Sequence, residues 1–366
     1  MKRAALALMI TLMILTAARA EPAGSYLSRL DLEKLESFSD ENAEGLDARR
    51  IAEEAAAGQF DALEGFADAL RGRVQAAAAA AAQACGQLLA PALMLALLRN
   101  AGLTRRGGTQ GAGFVLRISL LAGLLKSGAY VIEAGRGCIQ TAADFADAVA
   151  PTLSVLMTAL GRADAAALVS PAEALVGDVC VGLFAKYGLP LCRFALCTAV
   201  AGALAQTVRL DRVTGMLSKT VCWGTGFCVT AFTALAAIRS GLSASIDSVT
   251  VRAAKYAVDS AAPVIGSGVS DAWDTVVSGV CVAKNAVGIS GIAVLLAACA
   301  LPLLKILSVL VIQNACAALI EVLGDRETAA VIGRAGVVCK MTLAMCTGSI
   351  AISIIFLGAA MNAGAA

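Results

Sequence analysis

The sequence contains no histidine among its 366 residues. Without imidazole the chain has no His general base and no Ser-His or Cys-His nucleophile pair, and it lacks a common ligand of zinc and haem. It also lacks the G-x-x-x-x-G-K-[ST] motif, which excludes a P-loop nucleotide site. We therefore expect a protein that is not an enzyme and that binds no cofactor or metal.

Charged and aromatic residues are scarce as well. Only 15% of the residues are charged and 4% are aromatic, whereas 59% are hydrophobic. A soluble domain has about 25% charged residues. Alanine and glycine make up much of the apolar content, and small residues let helices approach closely in lipid. The composition predicts an all-α, polytopic integral membrane protein.

Twelve cysteines are present, but no C-x-x-C pair occurs. Most of them lie inside apolar runs, as Cys180, Cys299, Cys316 and Cys346 do. Cysteines in such positions are usually small buried hydrophobic residues. A disulfide framework is not expected.

The first 73 residues divide into two segments. Residues 1–20 have the basic start, apolar core and Ala18-Arg19-Ala20 cleavage site of a secretory signal peptide; an uncleaved first anchor is the alternative. Residues 21–73 hold 13 acidic and 6 basic residues. Their apolar residues recur at helical spacing and predict short amphipathic helices outside the membrane. A solvated tether without function is the alternative there.

The membrane-embedded body begins after residue 73. We divide it into a first span with a basic loop (residues 74–113), two membrane units (114–225 and 226–335) and a C-terminal span (336–366). Several runs within it are uncharged and long enough to cross a bilayer. Those runs are residues 76–98, 220–238, 285–304 and 341–366.

Basic residues predict the orientation of the body. They cluster in three connections, which contain Arg99, Arg105 and Arg106, then Arg209, Arg212 and Lys219, then Arg326, Arg334 and Lys340. The positive-inside rule places such loops in the cytoplasm. The acidic N-terminal segment would then lie outside. The basic connection at residues 239–255 does not fit this arrangement.

The two membrane units resemble each other at a constant offset. Pro151 and Pro263 follow similar Asp-x-x-x-Pro segments, and Pro190 and Pro302 stand in two Leu-Pro-Leu segments. Each pair is separated by the same interval. This pattern predicts an internal duplication, with chance similarity of alanine-rich sequence as the alternative. Duplicated membrane units with broken helices are typical of transporters.

Residues 263–288 form a polar, glycine-rich segment between apolar runs. Backbone that leaves a helix within a bilayer must be covered by protein or line water, and charged side chains need the same shelter. We expect a broken or re-entrant element in which Lys284 pairs with Asp271 or Asp274. The alternatives are a water path lined by these charges and a helix at the level of the lipid headgroups.

Residues 245–291 resemble the most recognisable block of the stage III sporulation protein AE family of endospore-forming bacteria. The similarity is most specific over residues 243–323. The matching positions, which we take as candidate family-motif residues, are Asp247, Lys255, Pro263, Gly266, Ser270, Asp271, Asp274, Lys284, Asn285, Gly288 and Pro302.

The resemblance implies a role that composition could not give. Members are membrane subunits of a channel-like or secretion-like complex between mother cell and forespore, needed for late forespore gene expression after engulfment. The implied partners are other membrane subunits and the ATPase of the same operon, and a forespore membrane protein across the intermembrane space. The implied location is the mother-cell-derived outer forespore membrane. We expect an oligomer embedded in lipid that does not bind nucleic acid.

A secondary transporter is the alternative function. Carboxylates within the membrane units could couple transport to an ion, and the duplication favours this class. The candidate residues are Asp144, Asp147, Asp259, Asp271 and Asp274. An intramembrane enzyme is a more remote alternative, because paired aspartates have no nucleophile or metal cluster beside them.

Overall fold

The structure is a computed structural model that describes residues 32–43, 47–57, 62–100, 110–160, 171, 176, 178–204, 211–261 and 266–362. It describes only the backbone of residues 62–70, 73, 84, 87, 110, 178, 180, 181, 211, 239–261, 266–277 and 362. The predicted signal peptide lies outside the described residues. Across the described ranges the secondary structure is helical and contains no strand. The all-α prediction is therefore confirmed.

Eight α-helices and one π-helix make up the described part of the chain. In chain order they are α1 (Glu33–Asn42), α2 (Ala48–Ala57), α3 (Ala62–Asn100), α4 (Gln110–Ala159), the π-helix (Asp178–Gly188), α5 (Leu189–Leu204), α6 (Asp211–Ala261), α7 (Gly266–Val322) and α8 (Arg326–Asn362).

Five helices in the described ranges are long and apolar enough to cross a membrane. Their stretches are Gly111–Ala159, Gly182–Leu204, Arg212–Ile238, Ser278–Val322 and Arg326–Met361. Helix α3 provides a bent sixth candidate, with a 48° bend between Gln83 and Leu88. Pro91 explains the bend, because it cannot donate a hydrogen bond to the carbonyl of Gln87. The polytopic membrane prediction is confirmed at this level.

Helix α8 lies at the centre of the bundle and packs against α4, α5, α6 and α7. Helix α4 runs parallel to it, since Arg117 contacts Glu327 and Ser353 Oγ donates to the carbonyl oxygen of Ala142. Helix α7 runs antiparallel: Gly291 lies against Leu357, whereas Gln313 accepts a hydrogen bond from Cys339. Positions along α8 can therefore be used as a ruler for depth in the bundle.

The basic connections lie at one end of the bundle, which we call the basic end. Arg99, at the end of α3, pairs with Asp325 between α7 and α8. Thr198 and Thr214 are 3.2 Å apart where α5 and α6 approach their own connection at that end. The described helix ends beside the three basic clusters therefore lie on one side, as the predicted orientation requires. We call the opposite end of the bundle the far end.

The short helices α1 and α2 cover the far end. Phe38 of α1 packs edge-to-face on Phe145 of α4, with 5.7 Å between the ring centroids, and α2 packs along α7. Leu35 and Ile51 are buried on the inner faces of these helices. The predicted amphipathic helices therefore form, although residues 62–73 belong to the long helix α3.

The predicted boundaries of the two membrane units fall inside helices. The boundary at 225/226 lies within α6 and that at 335/336 lies within α8. Pro190 lies in the first turn of α5, just after the π-helix, whereas Pro302 lies inside the continuous helix α7. The internal duplication stays a prediction.

Candidate functional site

The candidate family-motif residues lie on α6 and α7. The backbone of Asp247 and Lys255 belongs to the end of α6, and that of Gly266, Ser270, Asp271 and Asp274 belongs to the first turns of α7. Pro263 lies outside the described residues. The described part of α6 ends at Ala261 and that of α7 begins at Gly266.

The polar segment is not broken internally. Helix α7 is continuous from Gly266 to Val322, so Asp271, Asp274 and Lys284 follow one another along one axis. At 1.5 Å per residue, Lys284 stands about 20 Å from Asp271 and about 15 Å from Asp274 along the helix. The expected pairing within the chain, which required the chain to fold back, is therefore wrong.

Lys284 and Gly288 lie where α7 meets the other helices of the far end. The side chain of Lys284 is only 1% exposed, and that of Asn285 is half-buried. Gly288 faces Met361, and a Cβ atom on Gly288 would overlap the Met361 side chain. These positions allow the close approach of α7 to α8 that small residues provide in membrane bundles. This part of the motif therefore has a packing role.

Pro302 lies one helical turn beyond the buried Ala298 within α7. The proline has no N–H, so the carbonyl of Ala298 loses its usual helical donor. The helix nevertheless continues through this point for another 20 residues, to Val322.

A charged cluster that sequence reasoning did not single out closes the basic end. Arg99 Nη1 donates to Asp325 Oδ1 at 2.9 Å, and its other amino group binds Glu327. Arg117 lies 3.7 Å from Glu327. These contacts tie α3 and α4 to the start of α8.

The turn between α7 and α8 explains the position of this cluster. Gly324 has a φ of +87°, and two backbone hydrogen bonds close the α7 terminus, from Gly324 to Glu321 and from Asp325 to Ile320. This is the Schellman arrangement. Asp325 then caps α8, because its carboxylate accepts hydrogen bonds from the backbone N–H and the hydroxyl of Thr328. In the sequence, Gly324 followed by Asp325 could have predicted the end of one helix and the cap of the next.

A buried polar contact lies deeper in the bundle. Gln313 Nε2 donates to Ser127 Oγ at 3.1 Å, and Cys339 Sγ donates to Gln313 Oε1 at 3.5 Å. Ser127 in turn donates to the carbonyl oxygen of Leu124. The contact links α4, α7 and α8 at one depth.

Five cationic residues on five helices lie near this depth, and we call them the cation ring. They are Lys126, Arg193, Lys219, Lys305 and Lys340. Lys126 and Lys340 adjoin Ser127 and Cys339, which both contact Gln313. The contacts Gly188–Met345, Thr225–Gly348 and Gly291–Leu357 place the other three within about two turns of Lys340.

Uncharged sequence extends from the cation ring toward the far end. On α6, α7 and α8 the uncharged runs are residues 220–238, 285–304 and 341–361. Each run covers about 30 Å of helix, the thickness of the hydrocarbon core of a bilayer. We call this level of the bundle the uncharged layer.

The π-helix exposes Lys186 within this layer, two residues before Gly188, which faces Met345. Helix α4 differs more strongly from α6, α7 and α8. It carries a row of exposed polar side chains at spacings of three and four residues, which we call the polar stripe: Glu133, Arg136, Gln140, Asp144 and Asp147. Gln140 Nε2 donates to Asp144 Oδ1 at 3.1 Å. Of these residues, only Asp144 and Asp147 had been considered from the sequence, as transporter carboxylates. The helical spacing was the missed signal.

No group of three or more metal-ligating side chains occurs in the part of the chain that the structure describes. The cysteines described there are all free thiols, and most of them are buried among apolar side chains. The arrangement offers polar surface and close packing but no assembled catalytic constellation within the described ranges.

Comparison with known proteins identifies the family. The family model for stage III sporulation protein AE matches residues 47–364, from the start of α2 through α8. The stage III sporulation protein AE of Bacillus subtilis (strain 168) is 27% identical over 232 residues, which cover 63% of this chain and 58% of that protein. The match thus spans less than two thirds of the relative's length. No solved structure gives a significant match. The chain therefore belongs to the stage III sporulation protein AE family.

Proposed function

We propose that this chain is the polytopic membrane subunit of a conduit between mother cell and forespore. It lies in the mother-cell-derived outer forespore membrane, performs no catalysis itself and binds no cofactor. It assembles with other membrane subunits of its operon, with their separate ATPase and with a forespore membrane protein across the intermembrane space. Late forespore gene expression after engulfment depends on that assembly.

The family match over residues 47–364 carries the proposal, because it covers α2 through α8. Two features support a membrane subunit in particular. Five described helices can cross a bilayer. The three basic connections share one end, which the positive-inside rule assigns to the cytoplasm of the mother cell.

The test is deletion and complementation in the endospore-forming host. Deletion should leave engulfment intact but abolish a late forespore reporter, and the full chain should restore it. A tagged full chain should also recover its operon partners from detergent-solubilised membranes. Normal reporter activity in the deletion strain would contradict the proposal.

A secondary transporter is a second candidate, favoured by the exposed Asp144 and Asp147 at the depth of the uncharged layer. Ion-coupled transporters place carboxylates at such depths. Purified full chain in liposomes distinguishes the two functions. A transporter moves solute alone and responds to an ion gradient, whereas a conduit subunit requires its partners.

A further inference from the structure

The uncharged layer marks the position of the bilayer on the bundle. Its thickness on α6, α7 and α8 fits the hydrocarbon core, and the cation ring borders it on the basic side. Lys and Arg at such a border reach the lipid headgroups by snorkelling. On the far side, the runs on α6 and α7 end in sequence at Arg239 and at the buried Lys284.

A bilayer on the basic side of the cation ring would not fit the bundle. Helix α5 ends at Leu204 and α6 begins at Asp211, only 11 and 8 residues from Arg193 and Lys219. These segments extend about 16 Å and 12 Å from the ring, about half of a hydrocarbon core. Two of the spanning helices would then fail to cross.

Other helices expose apolar side chains within the layer. On α6, Trp223 is 73% exposed and Phe227 61%, and on α7 Leu296 is 44% exposed. Large apolar residues exposed on several helices at one depth are what a lipid-facing surface requires.

The polar stripe lies at the same depth. Gly135 contacts Thr342 and the Ala142 carbonyl contacts Ser353, so Glu133 to Asp147 align with the apolar run of α8. Each charge facing lipid near the bilayer centre costs about 2.5–3.5 kcal/mol on insertion scales. Glu133 and Arg136 lie near the cation ring, at the level of Thr342, and Asp144 and Asp147 lie farther inside the layer, beyond the level of Ser353. A face with charges along its whole length does not fit lipid contact.

We propose that the far half of α4 is the wall of a water-filled path within the bilayer, and that this path favours hydrated cations. Three carboxylates and one guanidinium give the stripe a negative balance. A narrow polar surface with low-dielectric walls concentrates ions of the opposite sign. The claim that the path conducts ions rests on the proposed function. The claim that water reaches the polar stripe rests on the geometry alone.

Cysteine accessibility tests the proposal on the full chain in native membranes. In a background in which the exposed Cys197 and Cys222 are replaced by Ala, single cysteines are introduced by Gly137→Cys and Gln140→Cys. Gly137 is exposed beside the stripe and has open space at its Cβ position. The matched controls, Phe227→Cys and Leu296→Cys, lie in the same layer on apolar surfaces.

The probes are two membrane-impermeant methanethiosulfonates of similar size, one cationic and one anionic. Stripe cysteines should react and control cysteines should not. The cationic reagent should react about tenfold faster than the anionic one at the stripe. Asp144→Asn with Asp147→Asn should reduce that preference severalfold without changing the amount of protein in the membrane.

Three results would overturn the proposal. Unreactive stripe cysteines in a normally accumulated protein would mean that another protein surface covers α4. Equal reaction at the control positions would place the stripe outside the bilayer. Reaction without a cation preference would remove the ion selectivity. Labelling requires no completed spore. A failed labelling assay therefore contradicts the water path, whereas a failed sporulation assay contradicts the proposed function.

Discussion

The two halves of α4 belong to one helix but present opposite chemistry to their surroundings. The half near the basic end exposes Phe114, Val115 and Ile118, all more than 45% accessible. The far half exposes Glu133 and Asp144, among the other residues of the polar stripe. An outer face that changes from apolar to polar along one helix indicates two environments. The contrast shows that two halves of one helix, both packed against the bundle on their inner faces, can expose different chemistry on their outer faces.

The buried faces of the two halves also differ. Near the basic end, α4 is held by polar contacts, from Arg117 to Glu327 and from Ser127 to Gln313. In the far half, Gly135 lies directly against Thr342, and the Phe145 ring lies 3.3 Å from where a Cβ atom on Gly291 would stand. The first half therefore depends on specific partners, and the second depends on small residues and close fit.

The largest effect is expected from Gly135→Val, at the buried face of the far half. The added side chain would overlap the Thr342 methyl group, and a β-branched helical residue has little freedom to move away. Overpacking of this kind costs roughly 1–3 kcal/mol. Thermal unfolding of the detergent-solubilised protein should shift to lower temperature.

Gly137→Val is the matched control for that change. Gly137 is exposed, and nothing lies within 4 Å of its Cβ position. It shares the helix, the residue type and the added side chain with the first variant. Equal destabilisation by both changes would show that the buried face of this half is not closely packed.

Asp325→Ala should have the next largest effect, at the basic end. The change removes the α8 cap and one of the two carboxylates that bind Arg99, while Glu327 remains. Loss of a helix cap alone costs about 1 kcal/mol. Asp325→Asn keeps an oxygen acceptor for the Thr328 N–H and should lose less. If Asn and Ala destabilise equally, the cap makes no contribution.

Gln313→Leu should be milder, although it breaks the link between α4, α7 and α8. Interhelical hydrogen bonds in membranes contribute about 0.6 kcal/mol on average. The Ser127 hydroxyl retains its bond to the Leu124 carbonyl and loses only the donor to its oxygen, while the Cys339 thiol, a weak donor, loses its acceptor. A double-mutant cycle with Ser127→Ala measures the coupling. A coupling energy of zero would contradict the contact.

Exchanges on the two outer faces should change stability least. Gln140→Leu and Ile118→Gln alter exposed positions of equal helical context, and surface substitutions usually stay within about 0.5 kcal/mol. The two should differ in function, because only Gln140 belongs to the polar stripe. Late forespore reporter activity should fall with Gln140→Leu alone. Loss of reporter activity with Ile118→Gln but not with Gln140→Leu would contradict the functional role of the polar stripe.

Sequence reasoning found the features that repeat locally. Apolar periodicity across residues 21–73 predicted short helices, of which α1 and α2 are present, and uncharged runs predicted the spans on α6, α7 and α8. It failed in the polar segment, where a broken or re-entrant element was expected but α7 is continuous from Gly266 onward. Pro302 did not break α7, because a helix in lipid satisfies its backbone hydrogen bonds best by continuing.

The site was only partly accessible to the sequence. Gly288 was singled out as a motif residue, but its packing against Met361 depends on two helices meeting from far apart in the chain. The expected Lys284 pairing assumed a turn that the continuous α7 lacks. Arg99 and Asp325 meet across more than 200 residues, and no spacing rule predicts such a contact.

Helices α6 and α7 continue well past the uncharged layer on the far side. Residues 239–261 extend α6 by about 35 Å beyond Ile238, and residues 266–283 precede Lys284 by about 27 Å of α7. This length is comparable to a second bilayer thickness. A protein anchored in a facing membrane could therefore reach this chain without the two lipid surfaces coming together. A fluorophore at Ala261 would report the distance between the two membranes.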